Sequence, residues 1–391
     1  MAAIETDTGK YALRQRMLLW LPALYCFVIF LAGLYSFRKP EYNWDMLPYM
    51  ALVLEYDNIK ADSVHEQSYY FAKQSLPAQY YKNLTDSSNP YRKQMEVDKV
   101  AFHNQLPLYV VKPLFIAFAY LFYKAGFSLS VSTIMPSIFS YLLIGFLLLY
   151  WLKKYLNIFF ASWLSLLVML STPMLGVAKL STPDGLSALL VLSLFYFVVE
   201  KQNVLLMLIF MVGSVFARID NILTCLAIVG FLVFQNKPLK KMAIFQYWGM
   251  IAILVLCYFS ITALVTNYGW SIFYYNSFSN YVSISHGSHS TFIPREYIRL
   301  MLGNAINSLY HSQIITFLGM VLSLFIRRTT PLFEDLGFDQ IFSLMLVLIM
   351  ILRFLLYPDI GDRSYIPYYL IVLIFIARKL SGNEEFLSEK T

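Results

Sequence analysis

Charge is scarce in this chain of 391 residues, since only 14% of the residues are charged while 59% are hydrophobic. Apolar runs as long as a bilayer crossing recur from Met17 almost to the C-terminus, which excludes a soluble protein of ordinary composition. Long apolar runs joined by short loops predict an all-α fold. We therefore expect a polytopic membrane helical bundle in which residues 1–391 form a single integral membrane domain.

Cysteine is also rare, and the three that occur, Cys26, Cys225 and Cys257, lie inside apolar runs. They predict neither a disulfide framework nor a metal cluster. The chain lacks a phosphate-binding glycine-rich loop, a nucleophile elbow and the paired histidines of zinc proteases. Its basic residues are dispersed among loops, which argues against nucleic acid as a partner.

Hydrophobic runs predict about ten transmembrane helices. They fall at residues 17–36, 131–152, 158–177, 184–199, 204–218, 219–235, 243–267, 311–326, 340–357 and 365–378. The short loops on the N-terminal side of the membrane hold more lysine and arginine than those on the opposite side, with Lys153 and Lys154 as one example. This bias predicts that both termini are cytoplasmic, and that residues 17–36 are a retained helix rather than a signal peptide.

The stretch from Leu108 to Tyr123 is apolar enough to cross the membrane, but a crossing there would invert every later loop. We therefore expect it to lie flat at the outer interface, within a first outer loop at residues 37–128 that contains interfacial helices. The alternative is that this stretch crosses and another short run does not.

Most of the unusual polar residues fall on the predicted outer side. They are Asp45, Glu55, Asp57, His103, Lys112, Lys179, Asp184, Arg218, Asp220, Arg363 and Tyr365. Several flanking apolar runs are shorter than a full crossing, so these side chains should lie below the surface in a cavity shielded from lipid. Ionisable groups at such depth are costly and usually functional, which predicts a substrate site there.

Each of these residues also has a purely structural interpretation. Arg218 and Asp220 could close a helical hairpin as an ion pair. Asp184 follows Pro183 and could interact with a helix N-terminus. Arg363 could anchor the chain among interfacial tyrosines. What these interpretations do not explain is why the charges share one side.

A metal site is not established by the sequence. His286 and His289, in a loop rich in serine and glycine, could be metal ligands or simply solvated. A divalent cation held by Asp184 or Asp220 is a further possibility left open.

Three short segments resemble the membrane glycosyltransferases of the GT-C superfamily, which includes the protein O-mannosyltransferases and the lipid A aminoarabinose transferase. They are residues 44–49 (WDMLPY), 103–109 (HNQLPLY) and 182–186 (TPDGL). The resemblance implies a GT-C-like bundle with Asp45 as catalytic base, Asp184 as a second acid, and basic residues that bind the phosphate of a polyprenyl-phosphate sugar. It also implies a bacterial inner membrane location with the active site on the outer face.

The chain departs from the family pattern in its first loop. Many relatives carry a paired Asp-Glu where Asp45 is followed by Met46, and the next acids are Glu55 and Asp57. The lysine-proline pair of the family could correspond to Lys112 and Pro113, although an alignment on Pro107, Leu108 and Tyr109 competes with it.

Sugar transfer from a polyprenyl phosphate needs a base for the acceptor hydroxyl and positive charge for the departing phosphate. Asp45 can supply the first, and Arg363, Lys179 and Arg218 are candidates for the second. The expected partners are the polyprenyl-phosphate donor, membrane lipid, and a glycan, lipid or protein acceptor. A lipid-linked glycan flippase, a polymerase or another membrane transporter remains the alternative.

Overall fold

The computed structural model describes residues 2–86, 88–235, 244–264, 274, 292–311, 313–326, 336–358 and 361–388. The two histidines singled out above, His286 and His289, lie outside these ranges, so their metal-ligand prediction is untested. The described residues are helical, and their β-structure is limited to an isolated bridge between Glu41 and Leu180. The all-α prediction is therefore confirmed for this part of the chain.

The N-terminal half begins with one long helix, followed by seven short helices in the predicted first outer loop. These are α1 Ala2–Arg38, α2 Met46–Tyr56, α3 Ala61–Ser75, α4 Ala78–Leu84, α5 Pro90–Val97, α6 Lys99–Gln105, α7 Pro107–Val110 and α8 Pro113–Lys124.

The remainder is a bundle of mostly apolar helices. These are α9 Leu129–Leu152, α10 Ile158–Met169, α11 Thr172–Lys179, α12 Asp184–Tyr196 with a π-helical turn Phe197–Lys201, α13 Val204–Ala217, α14 Asn221–Gln235, α15 Ile244–Leu264, α16 Pro294–His311, α17 Ile314–Ser323, α18 Phe338–Leu356, a 3₁₀ turn Asp362–Ser364 and α19 Ile366–Ser388.

Several of these helices can cross a membrane by length and composition. Four of the described segments qualify: Trp20–Arg38, Leu129–Leu152, Ile244–Ala263 and Phe338–Leu356. The number rises to six if two bent helix pairs each count as one span, and α13, α14 and α17 are shorter apolar helices. A helical membrane protein is thus supported, while the count of about ten spans stays a prediction.

The predicted interfacial stretch is not one continuous helix. The segment Lys99–Val110 meets α8 at an angle of 107°, so the two together cannot form a straight crossing. Pro113 opens α8, where its missing N–H costs nothing, and it holds the preceding Lys112 outside helical geometry. We therefore interpret α2 to α8 as a cap, built around its own apolar core that includes Met50, Phe102 and Phe115.

The bundle has two polar ends. We call the end where α1 meets α11 the site end, because Asp45 and Asp184 lie there. At this end the backbone N–H of Glu41 donates to the carbonyl oxygen of Lys179 over 3.0 Å. At the Glu200 end, that carboxylate accepts hydrogen bonds from Trp151 Nε1 at 2.8 Å, Lys154 Nζ at 2.5 Å and the Tyr155 hydroxyl. Lys154, predicted to lie on the N-terminal side, is thus at the opposite end from the loops that carry the predicted site.

Candidate functional site

Asp45 precedes α2 and is held by two neutral donors. Its Oδ1 accepts a hydrogen bond from the Tyr109 hydroxyl at 2.9 Å, and its Oδ2 accepts one from Asn43 Nδ2 at 3.0 Å. Burial and the nearby charge of Asp45 raise the pKa of Tyr109 well above its ordinary value, so that hydroxyl remains a donor. The carboxylate is half-buried and oriented, with no direct cation partner among the described ion pairs.

A hydrogen bond links the loop that carries Asp45 to the segment that precedes the second acid, Asp184. Asn43 Oδ1 accepts a hydrogen bond of 3.4 Å from the N–H of Ser181, three residues before Asp184. Gly185 lets α12 approach α9 closely, because a Cβ there would lie 3.3 Å from Ser137 Cα. The Thr-Pro-Asp-Gly sequence therefore serves to bring the start of α12 against α9 and beside the Asp45 loop.

Asp184 is buried and paired with two arginines. Its Oδ1 contacts Arg218 Nη1, and its Oδ2 lies 3.4 Å from Arg363 Nε. Asp184 is the first residue of α12, where a negative charge also suits the helix dipole. The pairing with two guanidiniums compensates the burial of its charge.

Arg218 is shared between two carboxylates. Besides Asp184, its Nε and Nη2 each lie 3.1 Å from an oxygen of Asp220, in the bidentate arrangement that guanidinium favours. The hairpin ion pair expected as a structural alternative is thus present. It belongs to a larger network, because Arg218 Nη1 also donates to Ser364 Oγ at 3.3 Å, beside Arg363.

Arg353 is a component of this network that the sequence analysis did not identify. It is buried near the end of α18 and contacts Asp220 through Nη2, while its Nη1 donates to the Tyr368 hydroxyl at 3.1 Å. Burial opposes ionisation of Asp220, but Arg218 and Arg353 outweigh it and hold its pKa below the ordinary value. The available signal was that Arg353 is the one charged residue in the apolar run 340–357.

Lys112 lies within electrostatic range of Asp45 and of the arginine network formed by Arg218, Arg353 and Arg363. It is close enough to Asp45, Asp184 and Arg218 for their charges to act on it, and its Nζ sits 4.9 Å from the ring centroid of Tyr109. Burial lowers the pKa of Lys112 to about 8, although the charge of Asp45 opposes that change. The site therefore contains a lysine that is still largely charged at neutral pH and loses its proton as pH rises through about 8.

The later first-loop acids lie at the other end of α2 from Asp45, about 15 Å away at 1.5 Å per helical residue. Asp57 forms an ion pair with Lys124 and accepts a bond of 3.4 Å from the Tyr120 hydroxyl. Burial raises the pKa of Glu55. The charge of His103, an exposed residue, lowers that pKa by a smaller amount. Glu55, Asp57 and His103 are therefore not brought together with Asp184.

Two further predicted residues occupy the margins of the site. The ammonium of Lys179 lies 4.7 Å from the ring centroid of Tyr35, which directs it toward α1. Tyr365 is buried, and its ring centroid lies 5.8 Å from the guanidinium carbon of Arg353. Lys179 thus contributes its backbone to the site end, and Tyr365 packs against the arginine network.

The described residues contain no group of three or more His, Cys, Asp or Glu side chains placed to hold a metal ion. A divalent cation at Asp184 or Asp220 would compete with Arg218 for both carboxylates. That cation stays an open prediction.

Comparison with known proteins gives no assignment: no family model, curated protein or solved structure matches this chain.

Proposed function

We propose that this protein is a membrane glycosyltransferase that moves a sugar from a polyprenyl phosphate to an acceptor hydroxyl. The observation that carries the proposal is the arrangement of the site end. An oriented carboxylate, Asp45, and a network of three arginines both lie within electrostatic range of Lys112. This arrangement pairs a base with a concentration of positive charge, which is what transfer from a phosphate leaving group requires.

The reaction would proceed by direct displacement. Asp45 accepts the proton of the acceptor hydroxyl as that oxygen attacks the anomeric carbon of the sugar. The bond between the anomeric carbon and the phosphate oxygen breaks, and polyprenyl phosphate leaves with the bonding electrons. One displacement inverts the anomeric configuration. The two donors on Asp45 keep the carboxylate oriented for this step.

The leaving phosphate would be stabilised by Lys112, Arg218 and Arg363. Arg218 and Arg363 are only partly buried, unlike Arg353, so their guanidinium groups can reach a ligand. Arginine suits this role because its planar fork can bind two phosphate oxygens at once. Asp184 would act by holding both arginines rather than by reacting.

An apolar groove beside the site fits the prenyl chain of such a donor. It has a volume of about 600 Å³ and opens between α8 and α13, with Pro113, Leu114, Leu208, Gly213 and Phe216 among its lining residues. Pro113 directly follows Lys112, so the groove begins next to a phosphate-binding candidate. A long apolar chain in the groove would leave its phosphate at Lys112.

The sidedness and the span count belong to this proposal as well. The loop charges and the two polar ends support cytoplasmic termini and a site facing the outer side of the membrane. The proposed bundle of about ten spans goes beyond the four to six candidate spans found by length and composition, and its location in a bacterial inner membrane rests on the family resemblance. A flippase could use the same groove and cations. The gathering of charged groups at one end favours the transferase, because a flippase needs a polar path through the membrane.

Groove occupancy tests the donor class. We expect Gly213→Phe to fill the groove and weaken binding of a long-chain polyprenyl phosphate about tenfold, while a short-chain analogue still binds. Gly230→Phe is the matched control, because Gly230 is an exposed position of α14 away from the groove. Equal loss of both ligands in Gly213→Phe, or no loss of either, would contradict the assignment.

A further inference from the structure

Helix α16 has its apolar side facing outward. Ile298, Leu302, Ile306 and Leu309 recur at spacings of four, four and three residues, which places them on one face of the helix. Each of these side chains is between 50% and 57% exposed. Such a face would be unfavourable in water, so α16 needs an apolar environment on its outer side.

The inward face of the same helix is polar. The Tyr297 hydroxyl donates to the carbonyl oxygen of Leu355, and Asn304 Nδ2 donates to that of Pro358 at 3.0 Å. Ser308 is buried on this side. The helix is therefore attached by polar contacts across the C-terminal end of α18.

Two observations identify what covers the outward face. Arg295 and Arg299 are exposed one helical turn apart at the start of α16, beside the apolar stripe. The hydrogen bond from Tyr297 to Leu355 also attaches α16 to α18, a helix that can cross a membrane and that carries exposed apolar residues, including Leu348 and Ile351. A protein surface that is apolar with a basic rim fits a lipid leaflet with anionic headgroups.

We infer that α16 is an interfacial helix that docks on the phospholipid leaflet at the site end of the bundle. Its apolar stripe contacts acyl chains, and Arg295 and Arg299 bind headgroup phosphates. Sequence hydropathy did not predict this helix as membrane-embedded, because its polar inward face lowers its average. The inference rests on the contacts of α16 and is independent of sugar transfer.

This docking would bear directly on the site. The N–H of Gln313, just beyond α16, donates to Asp362 Oδ1 at 2.8 Å, and the Tyr369 hydroxyl donates to the same oxygen at 3.0 Å. Asp362 begins the 3₁₀ turn that carries Arg363. Lipid contact by α16 thus holds the turn from which Arg363 reaches Asp184.

The test is the membrane depth of single spin labels on the full chain in vesicles of phosphatidylcholine, with or without phosphatidylglycerol. Labels are attached to Leu302→Cys or Ile306→Cys after the three native cysteines are replaced by alanine. Lys93→Cys, exposed in the first-loop cap, is the control for a water-facing position. We expect oxygen to relax labels at 302 and 306 more than a water-soluble nickel chelate does, with the reverse at 93.

Two outcomes would overturn docking on the leaflet, and a third would overturn the contribution of the arginines. Stronger relaxation of the labels at 302 and 306 by nickel would place the stripe in water. Dipolar broadening between labels at 302 in vesicles that hold several copies would show that a second copy covers the face.

The arginine contribution requires phosphatidylglycerol to deepen both labels, and requires the double substitution Arg295→Gln and Arg299→Gln to remove that deepening. If lipid charge has no effect, headgroup binding by these arginines is wrong. None of these measurements uses a sugar donor, so they stand apart from the proposed transfer.

Discussion

The two acids of the site end differ in what surrounds them. Asp45 accepts hydrogen bonds from the neutral groups of Tyr109 and Asn43, whereas Asp184 is paired with Arg218 and Arg363. A carboxylate with two guanidinium partners is a poor proton acceptor, while one held by neutral donors remains available. At the scale of single residues, this difference supports the proposed roles of Asp45 as the base and of Asp184 as the group that positions the arginines.

The pKa of Lys112 predicts how the affinity for the donor lipid depends on pH. Its folded pKa is about 8, against 10.5 for the ordinary side chain, so the ammonium is lost as pH rises through about 8. We expect the affinity for polyprenyl phosphate to fall above pH 8 in the wild type. Lys112→Arg, which keeps its charge, should abolish that fall. Isothermal titration from pH 7 to 9.5 measures both, and identical pH profiles for the two proteins would exclude Lys112 as a phosphate ligand.

Residue types and their approximate location were predictable from the sequence, but their partners were not. Asp45, Asp184 and Arg218 could be singled out because charges in a mostly apolar chain are rare. Their pairing depends on contacts between positions far apart in the chain, such as Arg353 with Asp220. Glu55 and Asp57 are the next acids after Asp45 in the sequence, and only the length and direction of α2 show how far they lie from it.

At the scale of helices, the arginine network fastens the turn between α13 and α14 to its neighbours. Asp220 in that turn contacts Arg353 of α18, and Arg353 also donates to Tyr368 of α19. The turn is thus fixed to two helices, and Arg218 on the same turn is held in position for Asp184.

Loss of Arg353, the buried cation of its ion pair with Asp220, should lower the stability of the protein. We expect Arg353→Leu to lower the free energy of unfolding by about 3 kcal/mol, because it leaves Asp220 without one of its cations. Lys99→Ala, which breaks an exposed pair with Glu66, should have a much smaller effect, because water and salt screen that pair. Denaturant unfolding in detergent measures both. If the two substitutions have equal effects, Arg353 does not anchor the turn.

The positions of helices were predicted from the sequence better than the breaks within them. The runs 204–218 and 219–235 correspond closely to α13 and α14. The run 158–177 instead contains a bend of 59° between α10 and α11, where Pro173 prevents the ladder of hydrogen bonds from continuing. Helix α16 was missed because its outward stripe is diluted in sequence by polar residues that face the protein.

At the scale of the whole molecule, we predict that the two polar ends of the bundle, the site end and the Glu200 end, lie on opposite sides of the membrane. Lys153→Cys, next to the Glu200 cluster, should react with an impermeant maleimide only on the side of the N-terminus. Arg92→Cys in the first-loop cap should react only on the other side. Inside-out and right-side-out vesicles measure this, and modification of both positions from one side would exclude the predicted orientation.

The central claim is tested most directly by sugar transfer in proteoliposomes with a polyprenyl-phosphate sugar and a panel of acceptors. We predict that Asp45→Asn reduces kcat about 10²-fold while donor affinity changes little, because the carboxylate acts in the transition state. Glu55→Gln and Asp57→Asn, at the far end of α2, should keep near wild-type rates. Full transfer by Asp45→Asn, or wild-type protein that moves the lipid-linked sugar across the bilayer without transferring it, would contradict the account.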